Sequence, residues 1–117
     1  MRPAATPKKL FDFELINGDC PVRDWLETLV TAIRARIEAR LIRVSLGNLG
    51  DAKSVGEGVS ELRLQFGSGY RVYFSQVEEE IILLLCGGDK SSQGEDIRKA
   101  KLYLEEFKSR GSNKRSI

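Results

Sequence analysis

The sequence predicts a single α+β domain laid out as strand, helical hairpin, three-strand antiparallel meander and C-terminal helix. Three observations carry this. Residues 60–66 and 70–75 alternate apolar and polar around Gly67-Ser68-Gly69, the pattern of a β-hairpin. Ile81 to Cys86 is a continuous apolar run of strand length, as expected of a strand buried on both sides. Ile33, Ile37, Leu41 and Val44 recur at spacings of four, four and three, which places them on one helix face. A chain of 117 residues suits one domain with one modest core.

The elements follow in order. Residues 1–9 read as a flexible lead-in, 10–110 as the folded domain and 111–117 as a flexible basic tail. Residues 10–16 are rich in aromatic and branched side chains and read as a first strand, with Phe11, Phe13 and Leu15 opposite Asp12 and Glu14. Asn17-Gly18-Asp19 is a turn. Asp19 or Cys20 then precedes Pro21, which suits a first helical position, and Trp25, Leu26 and Leu29 supply the apolar stripe. Thr31 is placed to cap the second helix. Arg34, Arg36, Arg40 and Arg43 fall largely off its apolar face and read as solvated. Gly47 and Asn48 end it. From Gly47 to Gly58 four glycines mark a loop with tight bends, carrying Asp51 and Lys53. Glu78-Glu79-Glu80 is a charged turn before the apolar strand. Residues 87–91 break that strand, and Ser92 with Glu95 forms a capping-box pattern for a helix carrying Ile97, Ala100, Leu102, Leu104 and Phe107.

Composition narrows the chemistry. Hydrophobic residues make up 41% and charged residues 31%, which describes a globular chain and not a disordered one. No apolar run is long enough to span a bilayer, and no signal-peptide core lies near the N-terminus, so the expected location is cytoplasmic, without membrane contact. There is no histidine, which removes Ser-His-Asp triads, His-based metal sites and a histidine general base together. Two distant cysteines, Cys20 and Cys86, do not make a zinc site and read as reduced thiols, Cys86 as a small core residue. No metal or other cofactor is expected. The net charge of +2 does not announce a nucleic-acid binder, so the distribution of charge must carry that argument.

Pairing the hairpin with Gly67-Ser68-Gly69 as its loop sets Phe66 opposite Tyr70, Leu64 opposite Val72 and Arg63 opposite Tyr73. Cross-strand partners share a face. Leu62, Leu64, Val72 and Phe74 therefore form an apolar face, and Glu61, Arg63, Gln65, Arg71, Tyr73 and Ser75 form the other. The ordinary reading of that second face is a solvated surface with an Arg63–Glu61 ion pair. Its concentration of arginine and tyrosine, beside a very apolar strand, is also what grips phosphate and stacks a base.

The stretch from Gly47 to Leu64, the run Gly69-Tyr70-Arg71-Val72-Tyr73-Phe74 and the segment from Ile81 to Gln93 resemble the phage-associated, HigB-like addiction-module killer proteins of the RelE/ParE toxin superfamily. Trp25-Leu26 and the helix through Arg40-Leu41 fit as well. The resemblance covers about residues 10–105, in the expected order. It departs in an N-terminal extension and in Ser68, where proline is often seen. The resemblance implies a RelE-like fold, with helices on one sheet face and a concave site on the other. It implies a small helix-turn-helix antitoxin as partner, a toxin–antitoxin hetero-oligomer, and ribosome-dependent endonuclease activity on mRNA without a metal.

Such cleavage uses the neighbouring 2′-hydroxyl as nucleophile. The enzyme must help deprotonate it, stabilise charge on phosphorus and protonate the leaving 5′-oxygen. On the resemblance, Arg71 stabilises the phosphate and Arg63 contacts it. Lys90 is a charge stabiliser or proton donor, and Tyr73 stacks a base or joins the proton transfer. Asp89 and Glu61 are candidates for general base or for orienting the cations. Lys53, Glu61 and Gln65 belong to the RNA-binding set. Plain alternatives stand beside these: Asp89 as a helix cap, Glu61 as a partner of Arg63 only, Tyr73 as sheet packing and Lys53 as a solvated side chain. Two other functions share the fold: a ParE-like inhibitor of DNA gyrase, and a degenerate toxin that only binds its antitoxin.

Overall fold

A computed structural model describes residues 6–114, with side chains through residue 110. Among these residues the chain forms five strands and three α-helices: β1 (Lys9–Asp12), α1 (Pro21–Glu27), α2 (Thr31–Ser45), β2 (Ala52–Gly56), β3 (Val59–Leu64), β4 (Tyr70–Glu78), β5 (Ile81–Gly88) and α3 (Gln93–Lys114). A short 3-10 turn, Lys90–Ser92, leads into α3. The strands make one mixed sheet in the order β1-β5-β4-β3-β2, with β1 parallel to β5 and the other pairs antiparallel. The α+β class is as expected from the sequence. The lead-in is shorter than expected, because Lys9 already opens β1 and Lys8 donates its backbone N–H to Ser45. At the other end the α3 backbone runs into the expected tail as far as Lys114. Positions 1–5 of that lead-in and 115–117 of that tail lie outside the described residues.

The sheet is covered on both faces. On one, Val22 and Leu26 of α1 and Ile37, Leu41 and Val44 of α2 pack against Leu62, Leu64, Tyr70, Val72, Phe74, Ile82 and Leu84. On the other, Ala100 and Leu104 of α3 pack against Val59, Tyr73, Leu83, Leu85 and Phe13. The second layer corrects the expectation that helices lie on one face only. Of the sheet face expected to be solvated or concave, Glu61, Tyr73 and Ser75 are instead buried under α3, while Arg63, Arg71 and Gln65 stay at least partly open.

Local chemistry explains the joints. Pro21 opens α1 behind an extended Cys20. Thr31 is the first residue of α2, not its cap; Val30 precedes it without a capping side chain. At the far end Gly47, at φ 94°, bonds back to the Val44 carbonyl while Asn48 bonds to that of Arg43. This pair of bonds is the Schellman closure that favours glycine.

Four strand expectations need correction. The first strand stops at Asp12 rather than at residue 16, because Leu15 and Gly18 are drawn into the turn at Asn17–Asp19. Phe13 is then fully buried against the Tyr103 ring, while Phe11, at the sheet margin, is 51% exposed. The glycine-rich loop contains a strand, β2, joined to β3 by Glu57 and Gly58. Both residues have positive φ, as in the turns that match strand twist. Third, the β3–β4 loop is five residues long, so Leu64 pairs with Tyr70, Arg63 with Arg71 and Leu62 with Val72. This register differs by two residues from the expected one. A shift of two preserves the faces, so the apolar set of Leu62, Leu64, Val72 and Phe74 stands.

The fourth correction concerns β5, which does not break at Gly87 but runs to Gly88. Opposite it, Tyr73 pairs with Cys86 and Phe74 with Leu84, leaving Leu85 as a bulge. The bulge puts both Leu85 and Cys86 into the α3 core. Beyond it, Gly87 faces Trp25 and Gly88 faces Asp96. A Cβ on Gly87 would fall inside the indole ring. Gly87→Ala is therefore expected to lower stability by about 1–3 kcal/mol through overpacking. Urea denaturation checks this, and an unchanged midpoint would mean that α1 does not press on the strand.

Candidate functional site

Antiparallel pairing sets Arg63 of β3 directly opposite Arg71 of β4. Like charges so placed repel, and the sequence supplies the answer two residues away. Glu61 lies diagonally across from Arg71 on the same face. One oxygen of its carboxylate is 3.3 Å from Arg71 Nε, and the other is 4.0 Å from Arg63 Nε. The Glu61 side chain is 1% exposed, against 12% for Arg71 and 33% for Arg63. Tyr73 Oη donates to Glu61 Oε2 at 3.1 Å, and Gln93 Nε2, at the start of α3, donates to the same oxygen at 2.8 Å. A buried carboxylate thus sits beneath two arginines and is tied to strand and helix at once.

Two further contacts shape the rim. Arg71 Nη1 donates to the Gly69 carbonyl at 3.1 Å, and the Lys90 backbone N–H donates to Ser68. The hairpin loop and the segment after β5 are thereby drawn together. Arg63, Gln65, Arg71 and Lys90 line a pocket of about 130 Å³ over the Leu64 and Tyr70 backbone. Among the described residues Arg71 Nη2 and the Lys90 ammonium make no hydrogen bond to the protein, and both residues border this pocket. The site's cationic groups are the arginines and the lysine; among the described residues no Cys, Asp and Glu side chains gather as a metal-binding set.

The structure brings Arg71, Arg63, Lys90, Glu61 and Gln65 together, and it changes the part of several. Tyr73 is fully buried. Burial, and next the Glu61 charge, push its phenol well above the usual range. It reaches no ligand and is sheet packing with a hydrogen bond, which corrects its assignment to base stacking or proton transfer. Glu61 is equally enclosed, which removes it as an RNA contact or a base acting on substrate and leaves it to orient the cations. Asp89 caps the 3-10 turn by accepting from both the N–H and the hydroxyl of Ser91. Those two bonds, the hydroxyl's first, hold its carboxyl below the ordinary range and commit it to the cap. The Ser92–Glu95 box does not form: Ser92 Oγ donates to Asp96, and Glu95 pairs with Arg98. Lys53 is exposed on the edge strand, opposite Glu61 in register, and lines neither pocket described here. Gln65 Nε2 donates to Asp51 at 2.9 Å, and Asp51 also meets Arg63 Nη2 at 3.4 Å.

Two residues were missed by sequence reasoning. Arg40, expected to be solvated, is buried and donates to the backbone carbonyls of Arg63, Leu49 and Asp51 at 2.8, 3.0 and 3.3 Å. Its signal was present: Arg40 lies three residues after Ile37 and four before Val44, on the apolar face. Gly50, at φ +65°, admits the guanidinium, because a Cβ there would stand 2.8 Å from Nη2. Gln93 had no such signal, since its role depends on where α3 crosses the sheet.

No known protein-family model matches the chain. Over 84 residues it is 48% identical to an uncharacterized protein of Haemophilus influenzae (strain ATCC 51907 / DSM 11121 / KW20 / Rd), covering 71% of this chain and 85% of that protein. The chain belongs to the same family as that protein.

Two measurements check this geometry. Tyr73→Phe removes one of the bonds to the buried Glu61 carboxylate and is expected to cost about 1.5–3 kcal/mol in urea denaturation. No loss would mean that the hydroxyl is not engaged. Ser91→Ala is expected to raise the Asp89 pKa toward its ordinary value in a carboxyl NMR titration. A carboxylate whose folded pKa is depressed stabilises the fold above its unfolded pKa, near 3.9, and loses that effect as pH falls through the folded value. The part of the variant's deficit that comes from this linkage is therefore full at pH 7 and smaller at pH 2, below the unfolded pKa. A deficit of equal size at both pH values would refute the linkage.

Proposed function

We propose that this chain is a toxin of the RelE/HigB kind, cleaving messenger RNA on the ribosome in the cytoplasm and held inactive by a cognate helix-turn-helix antitoxin in a hetero-oligomer. The observation that carries the reading is the pocket where Arg71, Arg63 and Lys90 converge over a buried Glu61. Planar guanidinium groups suit a phosphodiester, whose oxygens accept paired hydrogen bonds. The resemblance of residues 47–64, 69–74 and 81–93 to the HigB-like killer proteins supports the same reading.

In the proposed reaction the 2′-oxygen attacks phosphorus and the P–O5′ bond breaks. The products are a 2′,3′-cyclic phosphate and a 5′-hydroxyl. The proton leaving the 2′-hydroxyl passes to solvent or to a ribosomal group, since Tyr73 and Glu61 are enclosed and Asp89 is engaged by Ser91. Arg71, its side chain steadied by Glu61 and the Gly69 carbonyl, stabilises the charge that builds on the phosphoryl oxygens. Fixed donors aimed at such charge need little reorganisation as it forms. Arg63 neutralises the entering phosphate. Lys90, with no protein acceptor, delivers a proton or positive charge to the departing 5′-oxygen.

Mapping of mRNA 5′ ends in a bacterial translation extract, with and without engaged ribosomes, tests the reading. Cuts within translated frames that require ribosomes are expected. Arg71→Ala should slow single-turnover cleavage by about 10²–10³-fold at equal amounts of folded protein. Arg71→Lys should recover little, because the fork geometry is lost. Absence of cuts by folded protein would overturn the nuclease reading, and inhibition of gyrase supercoiling in its place would assign the fold to DNA topology.

A further inference from the structure

Beside the pocket at Arg71 and Lys90 lies a second and larger one, of about 290 Å³, lined by Arg40, Arg43, Asn48, Gly50 and Asp51. Arg63 and Gln65 line both, so the two pockets adjoin at these side chains, the second lying toward the C-terminal end of α2. We propose that this second pocket binds a further phosphate of the same single-stranded RNA, with Arg43 and Asn48 as its contacts. The inference rests on the reading of the first pocket as a phosphodiester site and extends it along the strand.

Charge and hydrogen bonding carry the assignment. Three guanidinium groups, those of Arg40, Arg43 and Arg63, face one carboxylate, that of Asp51. Arg40 directs its donors to backbone carbonyls, which satisfy its hydrogen bonds without cancelling its charge. Asp51 is already engaged by Gln65 and Arg63. Arg43 is different. It is exposed, in the last turn of α2, and among the described residues its side chain has no acceptor. A basic side chain in a helix's last turn is ordinarily explained by the negative end of the helix dipole. Here the Gly47 and Asn48 N–H groups already close on the Val44 and Arg43 carbonyls, so the Arg43 side chain is not needed to cap them.

The lining also selects the ligand class. It contains arginine, asparagine, glycine, aspartate and glutamine and no apolar side chain. A docked peptide would find no cavity for an apolar anchor, whereas a phosphodiester needs only donors and positive charge. Gly50 keeps the floor of the pocket low, because any side chain there would collide with Arg40. The Schellman turn presents Asn48 at the rim.

The test is binding of a fluorescent, uncleavable 2′-O-methyl oligonucleotide to the full chain, followed by anisotropy over a range of KCl concentrations. Each phosphate contact on a single strand contributes about 0.7 to the slope of log K against log salt. Arg43→Ala is expected to lower the slope by about 0.7 and to weaken binding at low salt. Arg98→Ala, on α3 and outside both pockets, should leave the slope unchanged. An unchanged slope in Arg43→Ala, or an equal drop in Arg98→Ala, would overturn the subsite while ribosomal cleavage by the parent chain upheld the nuclease reading. A parent chain that cuts mRNA but does not bind the oligonucleotide would also overturn the subsite alone. One that neither binds nor cuts would overturn both. If Arg43→Ala instead lost binding of a fluorescent acidic peptide that the parent chain binds, while oligonucleotide binding and its salt slope were unchanged, the pocket would belong to a protein partner and the proposal would be overturned.

Discussion

Glu61 places a buried carboxyl group on an interior strand of a sheet that is covered on both faces. Removing a carboxylate from water costs several kcal/mol unless partners replace the lost hydration. At Glu61 those partners come from three elements: the adjacent strand through Arg71 and Tyr73, its own strand through Arg63, and the start of α3 through Gln93. The same contacts permit Arg63 and Arg71 to stand directly opposite each other. Without the carboxylate their repulsion would oppose the β3–β4 pairing; with it, two guanidinium groups are held side by side at the edge of α3. The stability of this arrangement and the placement of its two guanidinium groups therefore depend on one buried side chain.

A second constraint is the bulge at Leu85. A regular β5 would alternate to its end and turn Cys86 toward α1 and α2. The extra residue sends Cys86 to the α3 side, where desolvation pushes its thiol up to about 12 and leaves it an inert core group. It also brings Gly87 beneath Trp25 and Gly88 beneath Asp96. The two glycines let α1 and the first turn of α3 approach the strand from opposite sides. Asp89 then caps the turn that places Lys90 at the pocket. What looks in the sequence like a break after an apolar strand is the device that positions the cationic rim.

Much of the fold was legible because it rests on periodicity. The apolar face of β3 and β4, the stripe of α2, proline at the start of α1 and glycine at the end of α2 are each set by local geometry, and each stands in the structure. β2 was not legible. Edge strands bury little, so Ala52-Lys53-Ser54-Val55 shows no apolar alternation, and the surrounding glycines resemble a loop. The two-residue error in hairpin register has a similar cause: loop length depends on turn geometry, while face assignment survives any even shift.

The sequence by itself determined the class of fold, the inward faces of its longest elements, and a chemistry of arginine, lysine and carboxylate without histidine. These follow from residue type and spacing, which act over one or two turns or a strand pair. Only the tertiary structure decided that α3 lies across the second face, enclosing Tyr73 and Glu61 and leaving Arg71, Arg63 and Lys90 at the opening. It alone recruited Gln93 to the buried carboxylate and Arg40 to the backbone carbonyls beneath the site. The physical reason is that burial and ion pairing depend on what arrives from elsewhere in the chain. Glu61 and Gln93 are 32 positions apart and meet only when the helix docks.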